Sequence, residues 1–276
     1  MSRRVTVVVL NWNGWQDTVA CVKSLQLLIG VDCNILVVDN GSTDGSVTHI
    51  EDSLPGVEVL QTGANLGFGG GCNVGIRYAL NAGAEYVWLV NSDATVDPGA
   101  LAAMVRLADQ NPSIGAVGSV LYEAGTADQI QLWGGGHINL WLGRSNHCVW
   151  AKPVDFISGA SMLLRRAALE DVGLFDEANF FMYWEDTDLC FRLRRAGWLL
   201  AVAPDSHLWH KESASLGFGN PVLDLYATRS CVRFLRRHAP FPVLSVALML
   251  VRMLLKRIVV GRPDRLRAVW RAYRSA

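Results

Sequence analysis

The sequence contains no Cys-x-x-Cys pair, no net charge, no long apolar run and no internal repeat. Each absence removes a class of function. The six cysteines, at 21, 33, 72, 148, 190 and 231, form neither a zinc ribbon nor a dithiol redox motif. Several fall in apolar stretches, where free cysteine serves as a small core residue, so a reducing cytosol is the simplest setting. Lys and Arg total 25, as do Asp and Glu, so no global basic field points to nucleic acid. No stretch of about 20 uncharged apolar residues is present, which argues against a spanning helix. The run Val5–Leu10 behind Arg3 and Arg4 is too short for a signal peptide and lacks a cleavage site. A dinucleotide fingerprint is missing, because its third glycine would fall on Cys72, and no Gly-Lys-Ser/Thr marks a phosphate loop. Residues 11–18 hold no Lys or Arg, which counts against a nucleotidyltransferase with a basic phosphate loop near its start.

What is present is apolar and alternating. Hydrophobic residues make up 51% of 276, enough for one large α/β domain with an appendage. Strands are expected at Val5–Asn11, Asn34–Asp39, Val57–Leu60, Tyr86–Val90 and Gly115–Leu121. They are continuously apolar, as strands covered on both faces are. Helices are expected between them, at Gln16–Leu28, Gly45–Ser53, Gly71–Ala82 and Pro98–Gln110. The alternation predicts a mostly parallel, doubly wound sheet, whose ligands bind beyond the carboxyl ends of the strands. Asn11, Asp39 and Asp93 lie at or just past those ends. Residues 122–154, with three consecutive glycines from Gly134 and three tryptophans, read as irregular hairpins or a flap. Phe156–Leu164 and Leu199–Ala203 read as strands, and Glu185–Ala196 as a helix with acids first and arginines last.

The tail from Pro221 changes character. It is apolar and basic, with Arg252, Lys256, Arg257, Arg262, Arg265, Arg267, Arg271 and Arg274 among Leu, Val and Trp. A helix pair lying in a membrane interface, apolar faces in lipid and cations on headgroups, is the favoured expectation. A helix docked on the domain, or on a second copy in a homodimer, is the other.

Carboxylates carry the chemistry. Asp39 ends a strand before a capped turn and is expected to bind a base or ribose, whereas Asp44 caps its turn. Asp93, in Asn91-Ser92-Asp93, is expected to ligate an ion, since Asp97 serves better as the cap of the next helix. Mg²⁺ and Mn²⁺ take oxygen ligands and bridge carboxylates to substrate phosphates. In Trp184-Glu185-Asp186-Thr187-Asp188 one carboxylate can act as a base while the others cap, pair with Arg or orient it. His210 either is structural or completes a metal site with a distant Asp. The glycines of 65–75 allow close backbone approach to a nucleotide.

Five segments in this order, 8–14, 37–46, 65–75, 91–93 and 184–188, resemble the family-two inverting glycosyltransferases of GT-A fold, and within them the bacterial rhamnosyltransferase-like branch. The resemblance spans about residues 4–240. With 221–276 read from its composition as a helical membrane-surface or dimerisation segment, the resemblance implies a catalytic domain over 1–220. It implies Asp186 as catalytic base with Glu185 beside it, and Asp93 and His210 as ligands of Mg²⁺ or Mn²⁺. Asn91 stands where the family's Asp-x-Asp motif has its first Asp. Asn11, Asp39, Asn65, Gly69, Asn73, Ser92 and Arg229 would contact the donor nucleotide. Trp184 and Asp188 would contact the acceptor. The donor would be dTDP-rhamnose or a UDP-sugar. The acceptor would be a glycan or polyprenyl-diphosphate-linked saccharide at the inner face of the plasma membrane.

Overall fold

A computed structural model describes residues 5–126, 128–211, 221–259 and 263–276. The expectations attached to Arg3, Arg4 and Arg262 lie outside the described residues. The first half runs β1 (Val5–Asn11), α1 (Trp15–Leu25), β2 (Cys33–Asp39), α2 (Ser46–Ser53), β3 (Glu58–Gln61), α3 (Gly67–Asn81), β4 (Tyr86–Asn91), β5 (Ala94–Val96) and α4 (Ala100–Gln110). Then come β6 (Ile114–Glu123), β7 (Ile130–Trp133), β8 (Gly135–Asn139), β9 (Arg144–His147), β10 (Phe156–Ile157), β11 (Ser161–Arg165) and α5 (Arg166–Val172). The chain continues with α6 (Glu185–Arg195), β12 (Leu199–His210), α7 (Pro221–His238), α8 (Pro242–Val259) and α9 (Pro263–Arg274).

The main sheet has the order β3-β2-β1-β4-β11-β6-β12-β5, with β7 pairing the end of β6 past β11. Strands β5, β7 and β11 run against the others. The sheet is therefore mixed at its centre and one edge, although most strands share a direction. Alternate side chains enter different layers, as pleating requires. Val5, Val7 and Val9 pack beneath α1 and α4, while Val8 packs with Leu36, Val38 and Ile76 beneath α3. Both layers are apolar, which is why β1 reads as an unbroken valine run rather than an alternating one.

Glycine decides how closely α3 lies on the sheet. A Cβ at Gly71 would sit 2.5 Å from Leu10 Cδ1, and one at Gly75 would collide with Val8. The helix consequently starts at Gly67, four residues earlier than expected, and its glycines are packing surface more than an open loop.

Three other expectations change. In place of the irregular hairpins or flap expected over 122–154, β7 joins the main sheet and β8 pairs with β9 and β10 in a separate three-stranded sheet. Gly135 and Gly136 permit this, because a Cβ on either would strike the carbonyl of Phe156 or Asn146. Phe156–Leu164 is two strands, since Ser158-Gly159-Ala160 steps from the small sheet to the large one. The strand at Leu199 runs on to His210, because a register shift between Ala203 and His207 carries Pro204 outside the ladder.

In the tail, α8 and α9 pack on α7 through Val246, Met249, Met253 and Val269. Several cations expected on lipid instead face inward. Arg257 and Arg265 both pair with Asp224, and Arg252 donates to the carbonyls of Leu142 and Gly143. Lys256, Arg267, Arg271 and Arg274 remain exposed. No helix of the described residues is long and apolar enough to cross a membrane.

Candidate active site

A cleft of about 370 Å³ opens where β1, β2 and β4 end, lined by Trp12, Asn40, Asn65, Phe68, Ser92, Asp93 and Met182 among others. Asn11 and Asp39, expected at the nucleotide, do not line it but lie buried next to its lining residues Trp12 and Asn40. Asn11 and Asp39 sit side by side in the parallel register. Asn11 Nδ2 donates to Asp39 Oδ1 at 2.7 Å, and the Ser42 amide donates to Asp39 Oδ2 at 3.0 Å. Asn40 ties the next turn to this pair, accepting from the Leu66 amide at 3.0 Å and donating to Asn65 Oδ1 at 3.2 Å. Asn40 was not among the expected residues, although it stands directly after Asp39.

At the far end of the cleft, antiparallel pairing sets Ala94 opposite His210, so Asp93 meets the imidazole. Asp93 Oδ1 lies 3.2 Å from His210 Nε2, the two side chains being 14% and 11% exposed. Asn91 Nδ2 lies 3.2 Å from the same nitrogen. An amide NH₂ only donates, so in the Nδ1–H tautomer Nε2 presents it a lone pair. A carboxylate and an imidazole lone pair then face one point, and a cation there satisfies both. Among the described residues no group of three or more His, Cys, Asp or Glu is gathered. An ion would draw its remaining ligands from phosphates and water, as Mg²⁺ commonly does. The donor set fits a divalent metal on those terms.

The acidic triplet divides by helix geometry. Tyr183 and Trp184 both adopt left-handed backbone (φ 66° and 71°), which costs of order 1–3 kcal/mol each and clusters at functional sites. They swing the chain into α6, which places Asp186 in the first turn, half-buried. Its Oδ2 accepts from the Gly159 amide at 3.0 Å and its Oδ1 from the Thr187 amide at 2.6 Å. Burial pushes the Asp186 carboxyl above the ordinary range, more than these bonds and nearby His147 lower it. Glu185 points inward, against Gly69 and Cys72. Burial, then the charge of Asp186, raises it well above the ordinary carboxylate and so favours its protonated form.

One short loop joins the two ends. Gly159 holds Asp186, and the carbonyl of the next residue, Ala160, accepts from the Asn91 amide at 3.0 Å. Gly159 also lies against the ring of Phe68, a cleft residue. The loop thus links Asp186 to Asn91, and Asn91 in turn touches His210, although neither Asp186 nor His210 itself lines the cleft.

The other expected residues fall elsewhere. Asn73 is spent on the loop before α6: its amide bonds the backbone of Phe175 in both directions, at 2.9 and 3.1 Å, and Glu177 at 2.8 Å. Gly69 packs against Phe175 and Glu185 instead of the cleft. Asp188, expected at the acceptor, is fully buried. It accepts from Arg192 at 2.8 Å, Arg237 at 2.9 Å and His238 at 2.8 Å, bolting α6 to α7. Trp184 is half-buried against Phe234. Arg229 does not line the cleft, yet its Nε is buried with no hydrogen-bond partner among the described residues. Its helix is pinned to the cleft by Ser230, which donates to the Met182 carbonyl at 2.9 Å.

A family model described as glycosyl transferase family 2 matches residues 6–173, which include the Asn11–Asp39 pair, Asp93 and the Gly159 loop. The chain belongs to glycosyl transferase family 2. An N-acetylglucosaminyl-diphospho-decaprenol L-rhamnosyltransferase of Mycobacterium tuberculosis is 33% identical to this glycosyltransferase over 222 residues, 71% of this chain and 72% of that one. A low-salt glycan biosynthesis hexosyltransferase of Haloferax volcanii is 26% identical over 199 residues, 69% of this chain and 62% of that one. The resemblance to the rhamnosyltransferase-like branch is thereby borne out. Among solved structures, a Pyrobaculum calidifontis mannosyltransferase in complex with GDP-Man and Mn²⁺ superposes with a TM-score of 0.63 at 16% identity, covering 100% of this chain and 75% of that one. S. aureus TarS 1-349 in complex with UDP-GlcNAc gives 0.60 at 17% identity, covering 96% and 79%. These likenesses establish the GT-A fold.

Proposed function

We propose that this family-two enzyme transfers a sugar, rhamnose from dTDP-rhamnose or the sugar of a UDP donor, with inversion at the anomeric carbon. The acceptor is a hydroxyl of a polyprenyl-diphosphate-linked saccharide. The observation that carries the reading is that the Gly159–Ala160 loop bonds Asp186 on one side and Asn91, beside the Asp93–His210 pair, on the other. The donor nucleotide enters along Asn65, with the buried Asn11–Asp39 pair close to its base and Ser92 at its diphosphate. Asp186 takes the proton of the acceptor hydroxyl as that oxygen attacks from the face opposite the nucleotide. Burial and the charge of Asp186 favour the protonated form of Glu185 beside it, which limits the negative charge crowded on the base. A divalent ion at Asp93 and His210, Mg²⁺ or Mn²⁺, would supply positive charge to the departing diphosphate. Arg229, through its buried Nε, adds a fixed charge on the α7 side. The name of the mycobacterial relative supports the lipid-linked acceptor and the rhamnosyl donor.

The test is a panel of nucleotide sugars, followed for slow donor hydrolysis and for transfer to a lipid-linked acceptor, with Asp186→Asn alongside. Loss of a general base costs a factor of about 10²–10⁴. Transfer should fall by that factor while donor binding holds. Near-normal turnover in the variant rejects Asp186 as the base.

The acceptor's lipid calls for a membrane surface. On α8, Leu244, Leu248, Val251, Leu255 and Ile258 recur at three- and four-residue spacing and are all exposed. Exposed Lys256, Arg267, Arg271 and Arg274 accompany this strip. A second copy laid against it would bring like charges together, whereas an anionic bilayer supplies the opposite sign. The doubly substituted Val251→Glu, Leu255→Glu protein should stay in solution when wild type sediments with anionic vesicles. Equal sedimentation would return the strip to another role.

A further inference from the structure

Gln131 lies outside the cleft and touches neither the Asn11–Asp39 pair nor the base, yet it holds the ring of His210 on the side away from Asp93. Its Oε1 is 2.9 Å from His210 Nδ1, and its Nε2 donates to the His210 backbone carbonyl at 3.5 Å. The second contact fixes which end of the amide faces the ring. An amide oxygen only accepts, so Nδ1 carries the imidazole proton. The Asn91 amide nitrogen on the opposite edge suits the same tautomer, with Nε2 as acceptor. Asp93 Oδ1 faces that nitrogen too. In a neutral imidazole left to itself, Asp93 would draw the proton onto Nε2 and close the cation site with a hydrogen bond.

The backbone explains how Gln131 reaches the ring. β7 and β12 pair along opposite edges of β6, with Ile130 opposite Tyr122 on one edge and His210 opposite Glu123 on the other. The β7 ladder jumps from Leu132–Leu121 to Ile130–Tyr122 and leaves Gln131 out of register. Such bulges re-aim a side chain and recur beside active sites.

We propose that Gln131 is a positioning residue that locks His210 in the Nδ1–H tautomer and turns its Nε2 lone pair, together with Asp93, toward a divalent cation. This rests on the metal assignment above, and the experiment separates the two. Long-range ¹H–¹⁵N spectra of the metal-free protein in alkaline buffer report the His210 tautomer directly, without any ion. Wild type should show Nδ1–H. Gln131→Leu should shift the population to Nε2–H, and Gln131→Glu, which keeps an acceptor on Nδ1, should restore it. Mn²⁺ titrated with UDP or dTDP, followed by electron paramagnetic resonance, should bind about 10–100-fold more weakly to Gln131→Leu, the range for loss of such a supporting partner. Gln131→Glu should recover the affinity. An Nε2–H wild type, or a leucine variant with unchanged tautomer and affinity, overturns the proposal. Unchanged Mn²⁺ affinity in His210→Ala would instead overturn the metal assignment, while the tautomer spectra still decide the role of Gln131.

Discussion

Asp188→Asn should destabilise the protein more than it slows the chemistry. Asp188 is fully buried and accepts three charged or polarised donors, Arg192 Nε at 2.8 Å, Arg237 Nη1 at 2.9 Å and His238 Nε2 at 2.8 Å. Neutralising it leaves two guanidinium groups facing an amide that offers one acceptor oxygen. Breaking a buried ion pair by removing one partner costs about 3–5 kcal/mol. At about 2–4 °C per kcal/mol for a domain of this size, the midpoint of thermal unfolding should drop by about 10 °C. Burial raises the Asp188 carboxyl, but the His238 bond and the two arginines outweigh it and hold the group below the ordinary range. A depressed carboxylate contributes stability that is present above its unfolded pKa, about 3.9, and lost as pH falls through the lower folded value. Wild type should therefore lose stability steeply below about pH 4, and the variant should show a shallower slope there. Differential scanning fluorimetry across pH measures both. A midpoint within 2 °C of wild type, together with a raised acceptor KM, would refute the structural role and return Asp188 to the acceptor site.

Glu185→Gln should retain most activity, because burial and the charge of Asp186 raise the carboxyl it replaces and favour its neutral form; a collapse matching that of Asp186→Asn would make Glu185 the base. The pH profile of kcat/KM should rise through an acidic limb lying above the ordinary carboxylate range, since burial raises Asp186 and only its ionised form accepts a proton. A limb at about pH 4 or below would mean that the site is better solvated than its packing indicates. Gly71→Ala should lower stability by about 1–3 kcal/mol, the usual cost of overpacking, because its Cβ has only 2.5 Å to Leu10. Denaturant unfolding measures this, and no loss would show that α3 can retreat from β1.

The sheet was legible because its strands are buried on both faces, and no other element in a chain of this composition explains runs such as Val5–Leu10. Legibility failed where an element's limits depend on its neighbours. Pro204 ends a strand in any local view, yet β6 continues beside it and a bulge lets β12 resume as far as His210. Without that resumption Asp93 and His210 would not meet. The glycines of α3 resemble a phosphate cradle in sequence, but what they accommodate is Leu10 and Val8, a fact held in β1 and not in the loop itself.

The candidate site divides along the same line. At about 100° per residue, Asp186 and Asp188 stand some 200° apart on α6, so they cannot serve one ligand. The string Glu-Asp-Thr-Asp does not say which of them turns to the Gly159 loop. That choice is made by α7, whose Arg237 and His238 claim Asp188, and by Gly159, which claims Asp186. Residues that meet a ligand carry chemistry that can be recognised in a motif, because the ligand's demands do not change from chain to chain. The residues that aim them answer only to local neighbours. Gln131 illustrates the extreme: it has no motif, it lies in a segment that reads as a flap, and its direction comes from a one-residue bulge in an edge strand. Supporting residues of this kind therefore have to be sought by asking what holds each ligating atom in the protonation state its task requires.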